Sequence, residues 1–280
     1  MTAIRDIAEG ERISIDYGNN FYHPTADRVE SLQESYGFTC VCPTCQGPDR
    51  KRAFVCKGCY NGVVCPVGMG SNIESDSSFS SCNSCGYAAD LAYRQLCVLK
   101  EEQYKNDTPI TLGQIEGICS VERILHENHY LLFWACDDIA MLLASKARRE
   151  SSFIPTVVKF GGDARIQSRQ CYRDALTAMS EAVRLLEAML PPVHHEKVVY
   201  YDRLGQLAVA AGELSFADTN FKKAYEMSCL ASGEQTPCTL EIKKLVSHPP
   251  QSLEELIAHY GQNGRSLDFL NANEDVMDES

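Results

Sequence analysis

Eight of the 14 cysteines in this chain lie between Cys40 and Cys85, and they constrain its fold more than any other feature. The N-terminal residues are charged and lack the apolar core of an export signal. We therefore expect a cytoplasmic and nuclear protein, in compartments where thiols stay reduced and disulfides are rare. Clustered cysteines in such compartments are typical of metal ligands, so the sequence predicts zinc.

Two Cys-x-x-Cys pairs form the stronger predicted zinc site. Cys56 and Cys59 make the first pair, and Cys82 and Cys85 make the second. Two residues between thiolates allow both to bind one tetrahedral ion, whereas redox pairs are the alternative. The two pairs are slightly further apart than in a usual zinc ribbon, which the Ser- and Gly-rich insert 68–81 explains.

A second cluster contains only three thiols, Cys40, Cys42 and Cys45. Three thiolates can converge on one ion but leave the fourth position of a structural zinc site open. The missing ligand would come from Cys65, from a distant residue, or from a segment outside this sequence. Cys65 is interpreted as a spare thiol more than as a ligand.

Regular secondary structure is predicted on both sides of the cysteines. Around residues 4–17, two short strands flank a turn at Glu9–Gly10. Apolar residues recur at helical spacing elsewhere, with Thr25 or Asp27 expected to cap the first helix. The predicted helices are 27–36, 88–104, 113–127, 128–149, 165–190, 197–211, 215–228 and 253–259. The predicted fold class is α+β, mostly α, with a small β and zinc portion followed by a helical domain.

One helical pair carries a repeat pattern. The small residues Gly205 in the first helix and Ala217 in the second allow a close helix crossing, and Phe221 fills the space between the helices. The surrounding residues fit the tetratricopeptide pattern better than a generic helical hairpin: Tyr201, Leu204, Ala208, Gly212, Ala217 and Ala224. We predict a tetratricopeptide-like helical domain.

Other features set limits on function. A net charge of −12 argues against direct binding of nucleic acid, and no apolar run is long enough to cross a membrane. His126 and His129 are predicted to share a helical face, but no carboxylate or thiol partner stands at a matching spacing. They are not predicted to bind metal.

A longer pattern resembles a known family. It consists of Ile4-Arg5-Asp6-Ile7, Gly10-Glu11, Ile13, Ile15 and Tyr17, and then a Tyr-x-Phe-x-Cys-x-Cys-x-x-Cys run from Tyr36 to Cys45. This pattern resembles the end of a SET domain with its post-SET zinc motif. With the helical region, the chain is similar to the SET-and-MYND (SMYD) protein-lysine methyltransferases. The ribbon insert is most similar to the fourth member of that family.

The resemblance implies roles for individual residues. Tyr17 would be the catalytic tyrosine that orients a lysine amine toward the methyl group of S-adenosylmethionine. Tyr36 would line the lysine channel, and Phe38 would lie against the cofactor adenine. Without the flanking motif, Tyr17 and Phe38 would be interpreted as ordinary core aromatics. Cys40, Cys42 and Cys45 would hold the post-SET zinc, beside the ribbon zinc at Cys56, Cys59, Cys82 and Cys85.

The chain also departs from the family pattern. Family members carry a Gly-x-Gly turn and an Asn-His-Ser-Cys motif upstream of this pattern, which supply most cofactor contacts and the fourth post-SET ligand. The residues before Ile4 contain neither motif, and Asn-His-Ser-Cys occurs nowhere in the chain. Asn128-His129-Tyr130 is no substitute, because it is predicted to lie in a helix. We expect the C-terminal portion of a methyltransferase, inactive alone; the alternative is a non-catalytic zinc-binding, tetratricopeptide-like interaction module.

The predicted organisation has five parts. The helical domain would bind a protein substrate or a chaperone-type partner, with no membrane contact. The parts are the end of the SET domain (1–22), the post-SET helix and zinc motif (23–50), the zinc-ribbon insert (51–90), the tetratricopeptide-like helical domain (91–270) and an acidic tail (271–280).

Overall fold

The fold was obtained as a computed structural model, which describes residues 6–11, 13, 17, 21–68, 78–152 and 161–262. These residues form the helices α1 Thr25–Tyr36, α2 Pro43–Gln46, α3 Leu91–Asn106, α4 Leu112–Gly117, α5 Tyr130–Ser152, α6 Gly161–Met189, α7 His195–Ala211, α8 Leu214–Ser232, α9 Pro237–Ser247 and α10 Leu253–Gln262. Strands β1 Phe54–Val55 and β2 Val63–Val64 pair antiparallel. The predicted fold class, α+β and mostly α, is confirmed. The acidic tail lies outside the described residues.

The chain divides into two units. One contains Arg12–Ala135, and the other contains Met1–Glu11 with Cys136–Ser280. The division falls within α5 and not at the predicted boundary between residues 90 and 91. Helices α3 and α4 therefore belong to the same unit as the cysteine clusters.

The turn predicted near the N-terminus is present. Gly10 has a φ of 80°, and the amide of Glu11 donates to the carbonyl of Ala8 at 3.0 Å. The flanking strands are not found among the described residues of this segment, 6–11, 13 and 17. The other positions of the predicted strands lie outside the described residues.

Helix α1 is capped by a residue distant in sequence. Its N-cap is Pro24, and neither Thr25 nor Asp27 provides a side-chain cap, so that prediction was wrong. The amide of Thr25 donates instead to Oδ2 of the buried Asp49 at 2.7 Å. A carboxylate at a helix N-terminus satisfies a free amide and interacts favourably with the helix dipole.

The predicted helix 113–127 is interrupted. Helix α4 is followed by a wider helical turn, Ile118–Glu122, which ends at Arg123 in a left-handed conformation with φ 51°. The next residues then pair with β1: the amide of Val55 donates to the carbonyl of Ile124 at 2.9 Å, and Phe54 pairs with Leu125. Phe54 and Leu125 are buried, so strand pairing covers apolar surface that the helix would have left exposed.

His129 has a carboxylate partner that sequence spacing did not reveal. It lies before α5, not on a helical face, and it is fully buried. Its Nε2 is 3.5 Å from Oε1 of Glu101 in α3, which is paired with Arg52. The partner was missed because it comes from another helix, and the prediction that Asn128-His129 lie in a helix was wrong.

In the unit that contains Cys136–Ser280, α7 and α8 form the predicted hairpin. A Cβ on Gly205 would overlap the ring of Phe221, and Phe221 is fully buried, so the predicted close crossing is confirmed. Gly212 ends α7 in a left-handed conformation with φ 82°. Helix α9 was not predicted, although Pro237 at its first turn is a typical helix start.

Within the described part of the chain, no helix combines the length and the apolar character needed to cross a membrane.

Candidate metal centres

The four ribbon cysteines converge on one point. The Sγ atoms of Cys56, Cys59, Cys82 and Cys85 all lie within 4.8 Å of one another. Between the two pairs, Cys56 and Cys85 are 3.7 Å apart, and Cys59 and Cys82 are 3.8 Å apart. Tetrahedral ligands with Zn–S bonds of about 2.3 Å have sulfurs about 3.8 Å apart. The arrangement therefore fits one four-coordinate zinc ion.

Backbone amides point at the ribbon sulfurs. The amide of Gly58 donates to Sγ of Cys56 at 3.3 Å, and the amide of Ser84 donates to Sγ of Cys82 at 3.4 Å. Both donors lie two residues after the cysteine, the position that a Cys-x-x-Cys turn places beside the thiolate. Hydrogen bonds of this kind, from amides to ligand sulfurs, orient the metal ligands and stabilise their negative charge.

A glycine brings the two halves of the ribbon together. A Cβ on Gly62 would lie 2.5 Å from Sγ of Cys82 and 2.7 Å from Oδ1 of Asn83. The carbonyl of Gly62 accepts from the amide of Cys56 at 2.8 Å, so the same residue contacts both cysteine pairs. Gly62 was not singled out from the sequence, because its contact partner lies beyond the insert.

One thiol in each cluster has a lowered pKa. Burial alone raises the pKa of Cys82, but amide hydrogen bonds from Cys85 and Ser84 and the neighbouring thiols lower it to about 6. Burial of Cys42 is outweighed in the same way by amide and thiol hydrogen bonds, and its pKa falls to about 7. Burial and the neighbouring thiols in turn raise the pKa of Cys45 to about 12, so the hydrogen-bonded thiols of a cluster do not all ionise alike. Because thiolates are the form that binds metal, zinc binding would release the remaining protons.

The second cluster is built on a single helical turn. Cys42 is the N-cap of α2, Pro43 fills the first position, and Cys45 lies one turn later. The Sγ atoms of Cys40, Cys42 and Cys45 lie within 4.8 Å of one another, and Nη1 of Arg28 is 3.8 Å from Cys45. Three convergent thiols beside a cation are compatible with zinc, with one coordination position to be filled.

Cys65 belongs to neither cluster. Among the described residues, the two groups of converging ligands do not include it. Its backbone pairs with Ser80 through bonds of 2.8 and 3.1 Å, and burial raises the pKa of its thiol to about 12. Cys65 is thus a buried neutral thiol, in agreement with its interpretation as a spare cysteine.

Three aromatic residues pack together, and two of them, Tyr36 and Phe38, directly precede the three-thiol cluster in sequence. The ring of Tyr17 packs edge-on against Tyr36 at 5.2 Å and against Phe38 at 5.4 Å between centroids. Gly37 lies between the latter two with φ 72°, a left-handed conformation that ends α1. The three side chains are 47%, 56% and 37% exposed, so the cluster presents aromatic surface to its surroundings.

Compared with models of known protein families and with curated proteins, the chain matches none. The assignment of the site therefore depends on the geometry of the two thiol clusters, on the aromatic cluster and on the sequence pattern that connects them.

Proposed function

We propose that this chain is the C-terminal portion of a SET-and-MYND family protein-lysine N-methyltransferase. The observation that supports this most is the packing of Tyr17 against Tyr36 and Phe38. In sequence, the latter two residues come directly before the three-thiol cluster. In the proposed enzyme, Tyr17 positions the lysine amine and Tyr36 lines the channel that admits it. The methyl group would be transferred from S-adenosylmethionine to a lysine of a histone or another protein, in the cytoplasm and nucleus.

Zinc and S-adenosylmethionine differ in how well the residues fit them. Cys56, Cys59, Cys82 and Cys85 supply a full set of tetrahedral ligands, so zinc would hold the ribbon together. For the cofactor, the resemblance assigns one matching residue, Phe38, whose side chain is 37% exposed. A single partly exposed ring does not make a cofactor site, so we propose that the chain is inactive alone.

Complementation tests the proposal directly. The zinc-loaded chain would be studied alone and after co-purification with a segment that contains the Gly-x-Gly and Asn-His-Ser-Cys motifs of the family. Calorimetry with S-adenosylmethionine should give no heat of binding for the chain alone and micromolar affinity for the complex. A histone mixture with radiolabelled cofactor then reports methyl transfer.

Two substitutions assign the roles within that complex. Phe38→Ala should weaken cofactor binding at least tenfold, whereas Phe216→Ala, at a similarly exposed ring in α8, should leave it unchanged. Tyr17→Phe should reduce methyl transfer while the cofactor still binds, and Tyr60→Phe in the ribbon is its control. A correctly folded complex that neither binds the cofactor nor transfers methyl groups would contradict the proposal.

The second candidate is a non-catalytic zinc-binding module that binds protein partners. The hairpin of α7 and α8 favours it, because the contact of Gly205 with Phe221 is the close packing found between stacked helical repeats. A protein substrate or a chaperone-type partner would then bind the helical region. This candidate becomes the better one if the complemented protein folds, holds zinc and stays inert toward S-adenosylmethionine.

A further inference from the structure

A groove of about 350 Å³ lies beside the zinc ribbon, away from the aromatic cluster. The ribbon contributes Lys57 and Tyr60, α3 contributes Tyr93 and Leu96, and the segment after α4 contributes Arg123. A volume of this size falls within the range of ligand sites, which combine apolar walls with a few charged groups. All of these residues belong to the unit Arg12–Ala135.

Arg123 and Tyr60 form one rim of the groove. Both have left-handed backbones, with φ 51° and 58°, which is unusual for residues other than glycine. Nη2 of Arg123 donates to the carbonyl of Tyr60 at 3.2 Å, and its guanidinium lies 5.1 Å from the centre of the tyrosine ring. The guanidinium of Arg123 is thus held in place by a carbonyl and a ring, which are both neutral. Its positive charge is not compensated by these contacts and stays available to a ligand.

Lys57 is the second cation that lines the groove. Its Nζ lies 5.8 Å from the ring of Tyr93 and 4.0 Å from Oδ2 of Asp90. The side chains of Lys57 and Asp90 are both 55% exposed, and an exposed pair at that distance contributes little. The acidic lining residue, Glu122, is instead held by Lys100 at 2.8 Å.

The floor of the groove is apolar and continues along α3. Leu96 is 39% exposed, and Leu99, one helical turn further on, is 66% exposed. Arg123, Tyr60 and Tyr93 in the lining are of the residue types enriched at interface hot spots, and the exposed leucines supply apolar area beside them. This face therefore offers apolar area that an anchoring side chain of a partner can cover. It also offers two cations that can pair with partner groups beside that anchor.

We propose that this groove binds an extended peptide segment of another protein, with an apolar anchor side chain flanked by acidic residues. Charge complementarity supports this occupant: the protein has a net charge of −12, yet two cations, Lys57 and Arg123, line the groove, and its one acidic lining residue, Glu122, is paired with Lys100. Arginine beside an apolar groove is a recurring means of binding acidic motifs. Nucleic acid is disfavoured, since two cations do not form a channel that follows a phosphate backbone. The site is independent of the proposed methyltransferase function.

The test is fluorescence anisotropy with the full zinc-loaded chain and a labelled peptide of sequence EDELFEDE. We expect saturable binding that weakens as salt rises, because the two cations that line the groove are exposed. Arg123→Gly should raise Kd at least tenfold without loss of folding, since glycine suits its left-handed backbone. Leu96→Gln should raise Kd at least fivefold. Lys105→Gln and Leu230→Gln, at exposed positions outside the groove, are the matched controls and should leave Kd unchanged.

Several results would overturn the proposal. One is the absence of binding to the peptide at 200 µM, with zinc content and circular dichroism confirming a folded protein. Others are equal affinity for polyglutamate without the apolar anchor, or equal weakening by Lys105→Gln and Arg123→Gly. Tighter binding of a labelled single-stranded oligonucleotide would replace the peptide with nucleic acid. Self-association in sedimentation that Leu96→Gln abolishes would make a second copy of the chain the occupant.

Discussion

Arg52 and Glu101 form a buried ion pair between the turn before β1 and helix α3. Nε of Arg52 donates to Oε1 of Glu101 at 2.8 Å, and the two side chains are 9% and 1% exposed. Burial by itself raises the pKa of Glu101, but His129 and Arg52 outweigh it and lower the pKa to about 2. The carboxylate is therefore charged at neutral pH, and it compensates the buried guanidinium of Arg52.

Glu101→Gln should strongly destabilise the unit Arg12–Ala135. The substitution removes the carboxylate charge that is hydrogen-bonded to Arg52 and leaves only the more distant charge of Asp49, and breaking a buried pair costs about 3–5 kcal/mol. Trp134 is the single tryptophan of the chain and lies in this unit, so its fluorescence during denaturation in guanidinium chloride reports the loss. Glu102→Gln is the matched control: its partner Lys105 is exposed, and the cost should stay below about 1 kcal/mol. Equal effects of the two variants would contradict the structure.

The stability of the unit Arg12–Ala135 should fall as the pH drops below about 6.5. Burial lowers the pKa of His129 from 6.5, the value that applies when the chain is unfolded. Between the two pKa values the unfolded chain binds more protons, so the free energy of unfolding rises with pH and is lost on acidification. In His129→Gln the side chain cannot titrate, so tryptophan fluorescence should show a smaller loss between pH 7.5 and 5.5 than in the wild type. Parallel pH profiles would rule out this role for His129.

Replacing a ribbon ligand should release zinc, whereas replacing the spare cysteine should not. Cys82→Ser removes the thiol with a pKa of about 6, and native mass spectrometry should show one zinc fewer than in the wild type. Cys65→Ser is the matched control, because Cys65 is also buried but lies outside both clusters. A wild-type protein purified without metal and still folded would refute the zinc assignment.

Gly205→Ala should destabilise the unit that contains Cys136–Ser280 by about 1–3 kcal/mol. The cause is overpacking, because the new methyl group overlaps the buried ring of Phe221. Gly261→Ala places the same change in α10, where nothing lies within 4 Å of the added carbon, and should be neutral or slightly stabilising. Circular dichroism at 222 nm during thermal unfolding measures both variants. A destabilised Gly261→Ala with an unchanged Gly205→Ala would show that the hairpin packs differently.

Local patterns in the sequence predicted the features that depend on neighbours along the chain. The two Cys-x-x-Cys pairs, the turn at Gly10 and the small residue at Gly205 belong to this group. These features can be predicted because two-residue loops, left-handed glycines and helical spacing each involve residues only a few positions apart in sequence. The convergence of Cys56 and Cys59 with the second pair also follows, since one tetrahedral ion needs four ligands.

Contacts between distant segments were not predictable in this way. The cap of Thr25 comes from Asp49, and the partner of His129 comes from Glu101. The helix predicted over 113–127 ends early because Leu125 pairs with β1, a tertiary contact that overrides helical periodicity. These three misses have the same physical cause, namely that a strong partner was supplied by another part of the fold. Helix α9 is different, because its start at Pro237 is a local signal.

Gly62→Ala provides the sharpest test of the ribbon geometry, because it changes no ligand. The added methyl group would lie 2.5 Å from Sγ of Cys82 and 2.7 Å from Oγ of Ser84, so the second cysteine pair must move away from the first. Loss of tetrahedral geometry should weaken zinc binding at least tenfold, the usual effect of changing a residue that supports the ligands without binding the metal. Competition with a chromophoric chelator measures the affinity. Gly113→Ala is the control, because nothing lies within 4 Å of the added carbon, and it should bind zinc as the wild type does. Equal affinities for the wild type and both variants would show that Gly62 does not set the distance between the cysteine pairs.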